Sequence, residues 1–160
     1  MKISALTLSK ITIFAALYAT LTLTLHPISY QAIQLRLSDA LIPLSIVYGS
    51  EVSIGVFIGC IVANLLAPYG PNILDITIGS LANLIASYIA LRFRRRPTIG
   101  CILAAVIIGF MVGSYLWTIT NVSPYFTISS VTISSLITVG VIGRILVGAI
   151  TKVLEERVLR

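Results

Sequence analysis

Six apolar runs, separated by short polar or proline-containing breaks, constrain what this 160-residue chain can fold into. A membrane-spanning helix takes about 20 mostly apolar residues, so six crossings would use about 120 residues and leave only short loops. The composition agrees, since 58% of the residues are hydrophobic, 10% are charged and the mean hydropathy is +1.05. A soluble domain carries about 25% charged residues, and a disordered chain is less hydrophobic. The sequence therefore predicts an all-α membrane protein, a compact bundle forming one integral membrane domain over residues 1–160.

Proline and glycine clusters set the limits of the predicted helices, because both residue types end helices. The first run stops at His26-Pro27, the third at Pro68-Tyr69-Gly70-Pro71, and the fourth in the segment from Arg92 to Pro97. The predicted transmembrane helices cover residues 9–25, 33–48, 52–67, 73–91, 99–119 and 128–154. The basic start resembles a signal peptide, but no small-residue cleavage site follows, so we expect the first helix to be retained.

The basic residues predict the orientation in the membrane. They cluster at Lys2 and Lys10, between Arg92 and Arg96, and from Lys152 to Arg160. Lys and Arg mark cytoplasmic loops, and six crossings place all three clusters on one face, with both termini in the cytoplasm. The net charge of +6 thus reports topology. We expect a multi-pass protein of the cell membrane that contacts lipid and binds no nucleic acid, because the basic residues are not interleaved with aromatic ones.

Four polar side chains near the outer end of the predicted bundle are candidate ligand-binding residues. Arg36 and Asp39 begin the second helix, Asn64 ends the third, and Asp75 begins the fourth. Charges inside a membrane are costly and often functional. A guanidinium fork, a carboxylate and an amide together suit the polar edge of a planar heterocycle. An equally good interpretation is structural: an Arg36–Asp39 ion pair, Asp75 stabilised by a helix dipole, and Asn64 hydrogen-bonding at a helix end.

Two further features have structural interpretations. Glu51 and Arg144 both lie towards the predicted cytoplasmic face, where an ion pair between them would lower the desolvation penalty of each. Trp117 belongs to a group of aromatic residues at the outer end of the fifth and sixth helices, which is typical of an interfacial belt, although such a ring could also stack on a bound base.

Small residues recur at four-residue spacing in three runs, as Ala15/Ala19, Gly55/Gly59 and Gly109/Gly113. Such pairs let helix backbones approach closely, so packing within the bundle is the default expectation.

Missing motifs argue against an enzyme. No phosphate-binding G-x-x-x-x-G-K-[ST] occurs, and a single histidine without an acidic cluster does not suit a metal site. We expect no cofactor and a binding or transport function that takes its energy from elsewhere. A stand-alone secondary carrier for a small purine-like solute is the alternative, although such carriers favour a carboxylate near the membrane midplane.

The segment Ile33-Gln34-Leu35-Arg36-Leu37-Ser38-Asp39-Ala40-Leu41 resembles a signature of the QueT family of queuosine-precursor transporters, which usually reads I-Q-F-R-I-S-E-A-L. Further similar blocks follow in order: Gly55 to Leu65, Leu74-Asp75-Ile76, and Gly79-Ser80-Leu81-Ala82. Asp39 stands where the family carries a glutamate, one methylene longer.

The resemblance implies an S component, the substrate-binding subunit of an energy-coupling-factor (ECF) importer with about six helices. Such a subunit works with a transmembrane coupling protein and two ATPases, and here the implied ligand is a 7-deazaguanine, with a different vitamin-like ligand as the alternative. Asp39 would then accept from the guanine-like N–H edge, Arg36 and Asn64 would address the ring carbonyl, Asp75 would meet an aminomethyl cation and Trp117 would stack on the base. Ala15 and Ala19 match the A-x-x-x-A patch that docks the coupling protein in this class.

Overall fold

The computed structural model describes residues 4–30, 34–68 and 70–158, with side chains up to residue 156. Lys2, Ile33, Tyr69, Arg160 and the side chain of Arg157, which entered the sequence-based predictions, lie outside this description. The first half contains helices α1 (Ala5–Thr24), α2 (His26–Ser29), α3 (Ser45–Tyr48) and α4 (Ser50–Leu65), with a 3-10 segment (Leu37–Leu44) leading into α3. The second half contains α5 (Ser80–Arg92), α6 (Pro97–Thr120), α7 (Pro124–Ser135) and α8 (Arg144–Val158), with π-helical segments at Asp75–Gly79 and Leu136–Gly143.

The predicted all-α membrane fold is confirmed. Among the described residues, three helical stretches are long and apolar enough to cross a membrane: Ala5–Thr24, Pro97–Thr120 and Pro124–Glu156. Leu37–Tyr48 and Ser50–Leu65 are shorter apolar helices. The last of the three long stretches is continuous, because the π-helical segment joins α7 to α8 without a break.

The second predicted helix differs most from the structure. Its helical part begins at Leu37, because Gln34 has a positive φ of 41° and Arg36 is extended with φ −82° and ψ 98°. A tighter 3-10 helix then continues to Leu44 and contains Pro43. Proline cannot donate the backbone hydrogen bond that a helix interior needs, which favours short, irregular helical geometry around it. The extended backbone before Leu37 therefore presents Arg36 outside the regular helix.

Small residues bring helices into close contact at two places. A Cβ on Gly59 would lie 2.5 Å from the carbonyl oxygen of Ala15, so α1 and α4 are almost in backbone contact. A Cβ on Gly113 would lie 2.5 Å from the Cα of Ile128, so the backbones of α6 and α7 are also almost in contact. The predicted packing role of Gly55/Gly59 and Gly109/Gly113 is therefore confirmed.

The packing brings the basic parts of the chain to one end of the bundle. Arg94 and Lys152 line the same cavity, and Lys10 lines a neighbouring apolar groove together with Tyr48 and Ile150. These positions suit the predicted topology, in which all basic clusters face the cytoplasm. We refer to this end as the basic end and to the opposite one as the polar-cavity end.

The predicted Glu51–Arg144 ion pair is wrong. Glu51 instead pairs with Lys10, whose Nζ lies 3.6 Å from Oε1, because α1 and α4 run parallel and the first turn of α4 lies beside the second turn of α1. The Nε of Arg144 donates to Oγ1 of Thr98 at 3.2 Å, across the contact between α8 and the start of α6.

Candidate functional site

Arg36 anchors a buried polar cluster at the polar-cavity end. Only 5% of the residue is exposed. Its Nε donates to the carbonyl oxygen of Ser29 at 3.2 Å, its Nη2 to Oδ1 of Asn64 at 3.1 Å, and its Nη1 lies 3.7 Å from Sγ of Cys60. The guanidinium also stacks over the ring of Tyr30, with its carbon 5.0 Å from the ring centre. A planar fork with several fixed donors can tie a loop to a helix in this way.

Tyr30 closes one side of this cluster. Its hydroxyl donates to the carbonyl oxygen of Ala63 at 2.8 Å. Burial raises the pKa of the Tyr30 phenol to about 12, against a smaller opposing effect of the Arg36 charge. The hydroxyl therefore stays protonated at physiological pH, and the loop after α2 remains attached to the end of α4.

Asn64 connects Arg36 to the π-helical segment that precedes α5. Its side-chain oxygen accepts from Arg36, and its Nδ2 donates to the backbone oxygen of Asp75 at 2.7 Å. The same Nδ2 lies 3.4 Å from Sγ of Cys60. Asn64 is 1% exposed, so its orientation is fixed by these partners on both sides.

The side chain of Asp75 is held by Tyr115 of α6. Its Oδ1 accepts from the hydroxyl of Tyr115 at 2.7 Å, whereas none of the described residues donates a hydrogen bond to its Oδ2. Asp75 opens a π-helical segment, a geometry that is frequent at functional sites. A carboxylate with one oxygen held by the protein and the other unoccupied is positioned to accept from a ligand.

Asn64 and Asp75 both line a cavity of about 160 Å³. The loops around it contribute phenol and amide groups, from Tyr30, Gln34 and Asn72. The end of α6 contributes the hydroxyl of Thr120 and the apolar side chains of Leu116 and Ile119. Pockets for drug-sized ligands measure about 300–1,000 Å³, so this cavity suits a smaller molecule. The mixture of polar edge groups and apolar walls is typical of a site for a small heterocycle.

A family profile described as QueT transporter matches residues 8–152. This chain belongs to the QueT transporter family. No curated protein matches the chain, and neither does any solved structure. The family match spans every side chain of the cavity, and together with the long apolar helices it establishes a transporter that is a multi-pass protein of the cell membrane.

Asp39 is not part of the wall of this cavity. It is 5% exposed, and its Oδ1 accepts from the hydroxyl of Tyr18 at 2.6 Å. That hydroxyl also accepts from Nδ2 of Asn83 at 2.7 Å. Within the described residues Asp39 and Arg36 form no ion pair, because Arg36 precedes the helix and projects to other partners. The Tyr18 hydroxyl therefore links α1 to the 3-10 segment through Asp39 and to α5 through Asn83.

Trp117, Ala15 and Ala19 lie away from the polar cavity. Trp117 is 42% exposed, its Nε1 donates to the backbone oxygen of Ser114 at 2.9 Å, and it does not line the cavity. Ala19 is buried and Ala15 is half-buried, with the Ala15 backbone facing Gly59. Stacking by Trp117 and docking at the alanine pair stay predictions.

The sequence pattern does not indicate Tyr30, and among the outer aromatic residues it favours Trp117 over Tyr115, although Tyr30 contacts Arg36 and Tyr115 donates to Asp75 in the structure. Both tyrosines are amphipathic and lie near helix ends, where a tyrosine normally indicates a membrane interface. Helical phase could have favoured Tyr115 over Trp117. Two residues of separation turn a helix by about 200°, so the two rings project to opposite sides, and Tyr115 shares the buried side with Val112.

Proposed function

We propose that this chain is the S component of an ECF-type importer and captures a queuosine precursor of the 7-deazaguanine type at the outer face. The observation that carries this proposal is the cavity lined by Asn64 and Asp75, within a chain of the QueT transporter family. The cavity lies at the end opposite the basic residues, where the topology predicts access from outside.

The chemistry of the cavity suits such a ligand. The Oδ2 of Asp75, to which no described residue donates, would accept an N–H of the heterocycle or pair with an aminomethyl cation. The amides of Gln34 and Asn72 would address ring nitrogen and carbonyl groups, and Leu116 and Ile119 would contact the ring faces. A volume of about 160 Å³ favours a free base over a nucleoside.

Arg36 and Asp39 contribute in different ways to this proposal. Arg36 is a positioning residue, because its Nη2 fixes the side chain of Asn64. A direct contact between Asp39 and the ligand would require the ligand to reach beyond the cavity wall, because Asp39 does not line the cavity. Stacking by Trp117 would require its indole to move to the cavity from its exposed position.

The energy for uptake would come from partner subunits, a transmembrane coupling protein and two ATPases, since the sequence carries no phosphate-binding loop motif. Docking at Ala15 and Ala19 would take place along α1. Because Ala15 already faces Gly59, the coupling protein would also meet the adjoining exposed side chains Ile13 and Leu17.

The decisive experiment measures binding of 7-aminomethyl- and 7-cyano-7-deazaguanine to the purified chain by calorimetry. Asp75→Asn should weaken binding of the aminomethyl ligand at least about tenfold, since a charge-assisted hydrogen bond contributes about 1.5–3 kcal/mol, and it should affect the neutral cyano ligand less. Glu51→Gln, which removes a carboxylate at the basic end, is the matched control and should bind like the unchanged chain.

Two results would contradict the proposal. One is a chain that binds neither deazaguanine although it is folded. The other is full affinity in folded Asp39→Asn, Arg36→Ala and Asp75→Asn variants, which would place the ligand elsewhere. Mass and ultraviolet spectra of any molecule that co-purifies would identify a different vitamin-like ligand directly.

A further inference from the structure

A second cavity, of about 840 Å³, lies at the basic end of the bundle and has no part in the proposed substrate site. It is bordered by the end of α3, the loop before α6 and the length of α8. Its wall is mainly apolar, with Ile46, Val47 and Val147 among its side chains. Three cations share this wall, namely Arg94, Arg144 and Lys152, against the single carboxylate of Glu155 in the described lining.

The cations are available to a ligand. No carboxylate among the described residues lies within ion-pairing distance of Arg94, Arg144 or Lys152. Arg144 uses its Nε to donate to Thr98, and the structure gives its two terminal amino groups no hydrogen-bond partner in the described part of the chain. The guanidinium lies over Gly148, where an added Cβ would come within 3.2 Å of Nη1.

A ligand that fills this cavity must both neutralise its cations and cover its apolar wall. Arg144 and Lys152 are both on α8, about 12 Å apart along its axis at 1.5 Å per residue. A free phosphate would leave the apolar wall uncovered, and a hydrocarbon chain would leave the cations without counter-ions. A phospholipid with an anionic headgroup satisfies both, since basic pockets between helices at the cytoplasmic side bind such headgroups.

We propose that the cavity between α3, α6 and α8 binds an anionic phospholipid of the cytoplasmic leaflet. The phosphate lies among Arg94, Arg144 and Lys152, and an acyl chain follows the apolar wall at Val47 and Val147. This inference does not depend on the substrate of the transporter, because none of these residues lines the polar cavity.

The test measures lipid retention by the purified chain in mild detergent. The chain is incubated with equal amounts of phosphatidylglycerol and phosphatidylcholine, washed, and analysed for bound lipid by mass spectrometry. We expect phosphatidylglycerol to be retained in preference to phosphatidylcholine, and we expect Arg144→Gln and Arg94→Gln each to lower that preference about fivefold.

Arg95→Gln is the matched control, because Arg95 is exposed, carries the same charge and does not line the cavity. It should retain the full lipid preference, and thermal unfolding with size-exclusion chromatography shows whether each variant is folded.

Four results would overturn the proposal. The first is equal retention of both lipids by the unchanged chain, and the second is an equal loss of lipid preference in Arg95→Gln and Arg144→Gln. The third is complete displacement of the lipid by inorganic phosphate. The fourth is loss of coupling-protein assembly in Arg144→Gln without any lipid preference in the unchanged chain. The third result would assign the cavity to a free anion and the fourth to a protein partner.

Discussion

A single guanidinium holds the polar cluster together, so replacing Arg36 by lysine tests its geometry separately from its charge. Lysine keeps the positive charge but cannot donate to Ser29 and Asn64 with the same fixed fork. With about 1.5–3 kcal/mol for a hydrogen bond of a charged group, we expect Arg36→Lys to raise the deazaguanine Kd about 10- to 100-fold in calorimetry. Arg95→Lys, at an exposed position, is the control. An unchanged Kd in folded Arg36→Lys would show that Asn64 needs no such support.

The Tyr115 hydroxyl gives a second test at the level of one atom. Tyr115→Phe removes the donor that lies 2.7 Å from Oδ1 of Asp75 and leaves a buried carboxylate oxygen without its partner. We expect a loss of about 1.5–3 kcal/mol in the free energy of unfolding, measured by denaturation in detergent. Tyr125→Phe makes the same chemical change at a side chain that is 87% exposed, and it should stay within about 0.5 kcal/mol of the unchanged chain. Equal effects of the two variants would contradict the assigned hydrogen bond.

Individual residues show where sequence reasoning succeeds and where it stops. Arg36, Asn64 and Asp75 could be selected because polar groups in an apolar run are costly without a purpose, and the structure brings all three together. The partners of Asp39 could not be selected, because a hydrogen bond from Tyr18 spans two helices and leaves no local pattern in the sequence.

At the level of helices, the glycines of α4 make a prediction about packing. Gly59→Ala would place a Cβ 2.5 Å from the Ala15 carbonyl oxygen and 2.9 Å from Cβ of Tyr18. Forcing these helices apart should cost about 1–3 kcal/mol in unfolding free energy. Gly140→Ala is the matched control, because its nearest neighbour atom would lie 3.8 Å away, and a better helix propensity should make it neutral or stabilising by up to about 1 kcal/mol. Thermal unfolding of both variants in one detergent compares them, and equal melting temperatures would contradict the close α1–α4 contact.

The helices themselves were predictable to different degrees. Long apolar runs such as the one that forms α6 predict a helix, since only helical hydrogen bonding within the run can pair its backbone N–H and C=O groups inside a membrane. The start of the second predicted helix, residues 33–48, could not be predicted in this way. Arg36 is extended because its side chain bonds to Ser29, Cys60 and Asn64, and these tertiary contacts outweigh the local helical preference.

At the scale of the whole molecule, the buried carboxylates bear on two transport classes, a carrier that works alone and a subunit that only captures the substrate. Asp39 and Asp75 are buried carboxylates, and a proton-coupled carrier would need such groups to change protonation and access during each cycle. In the structure both are held by tyrosine hydroxyls, Asp39 by Tyr18 and Asp75 by Tyr115, an arrangement that suits a rigid binding site.

Reconstitution distinguishes the two transport classes. In vesicles that contain only this chain, we expect binding of labelled 7-deazaguanine but no accumulation under a proton gradient. Adding the coupling protein and the two ATPases should produce uptake that requires ATP on the cytoplasmic side. Asp75→Asn should lower both binding and ATP-dependent uptake, whereas Glu51→Gln should preserve both. Accumulation by the chain alone under a proton gradient would instead establish a secondary carrier, because a chain that moves its substrate without ATP needs no ATPase partners.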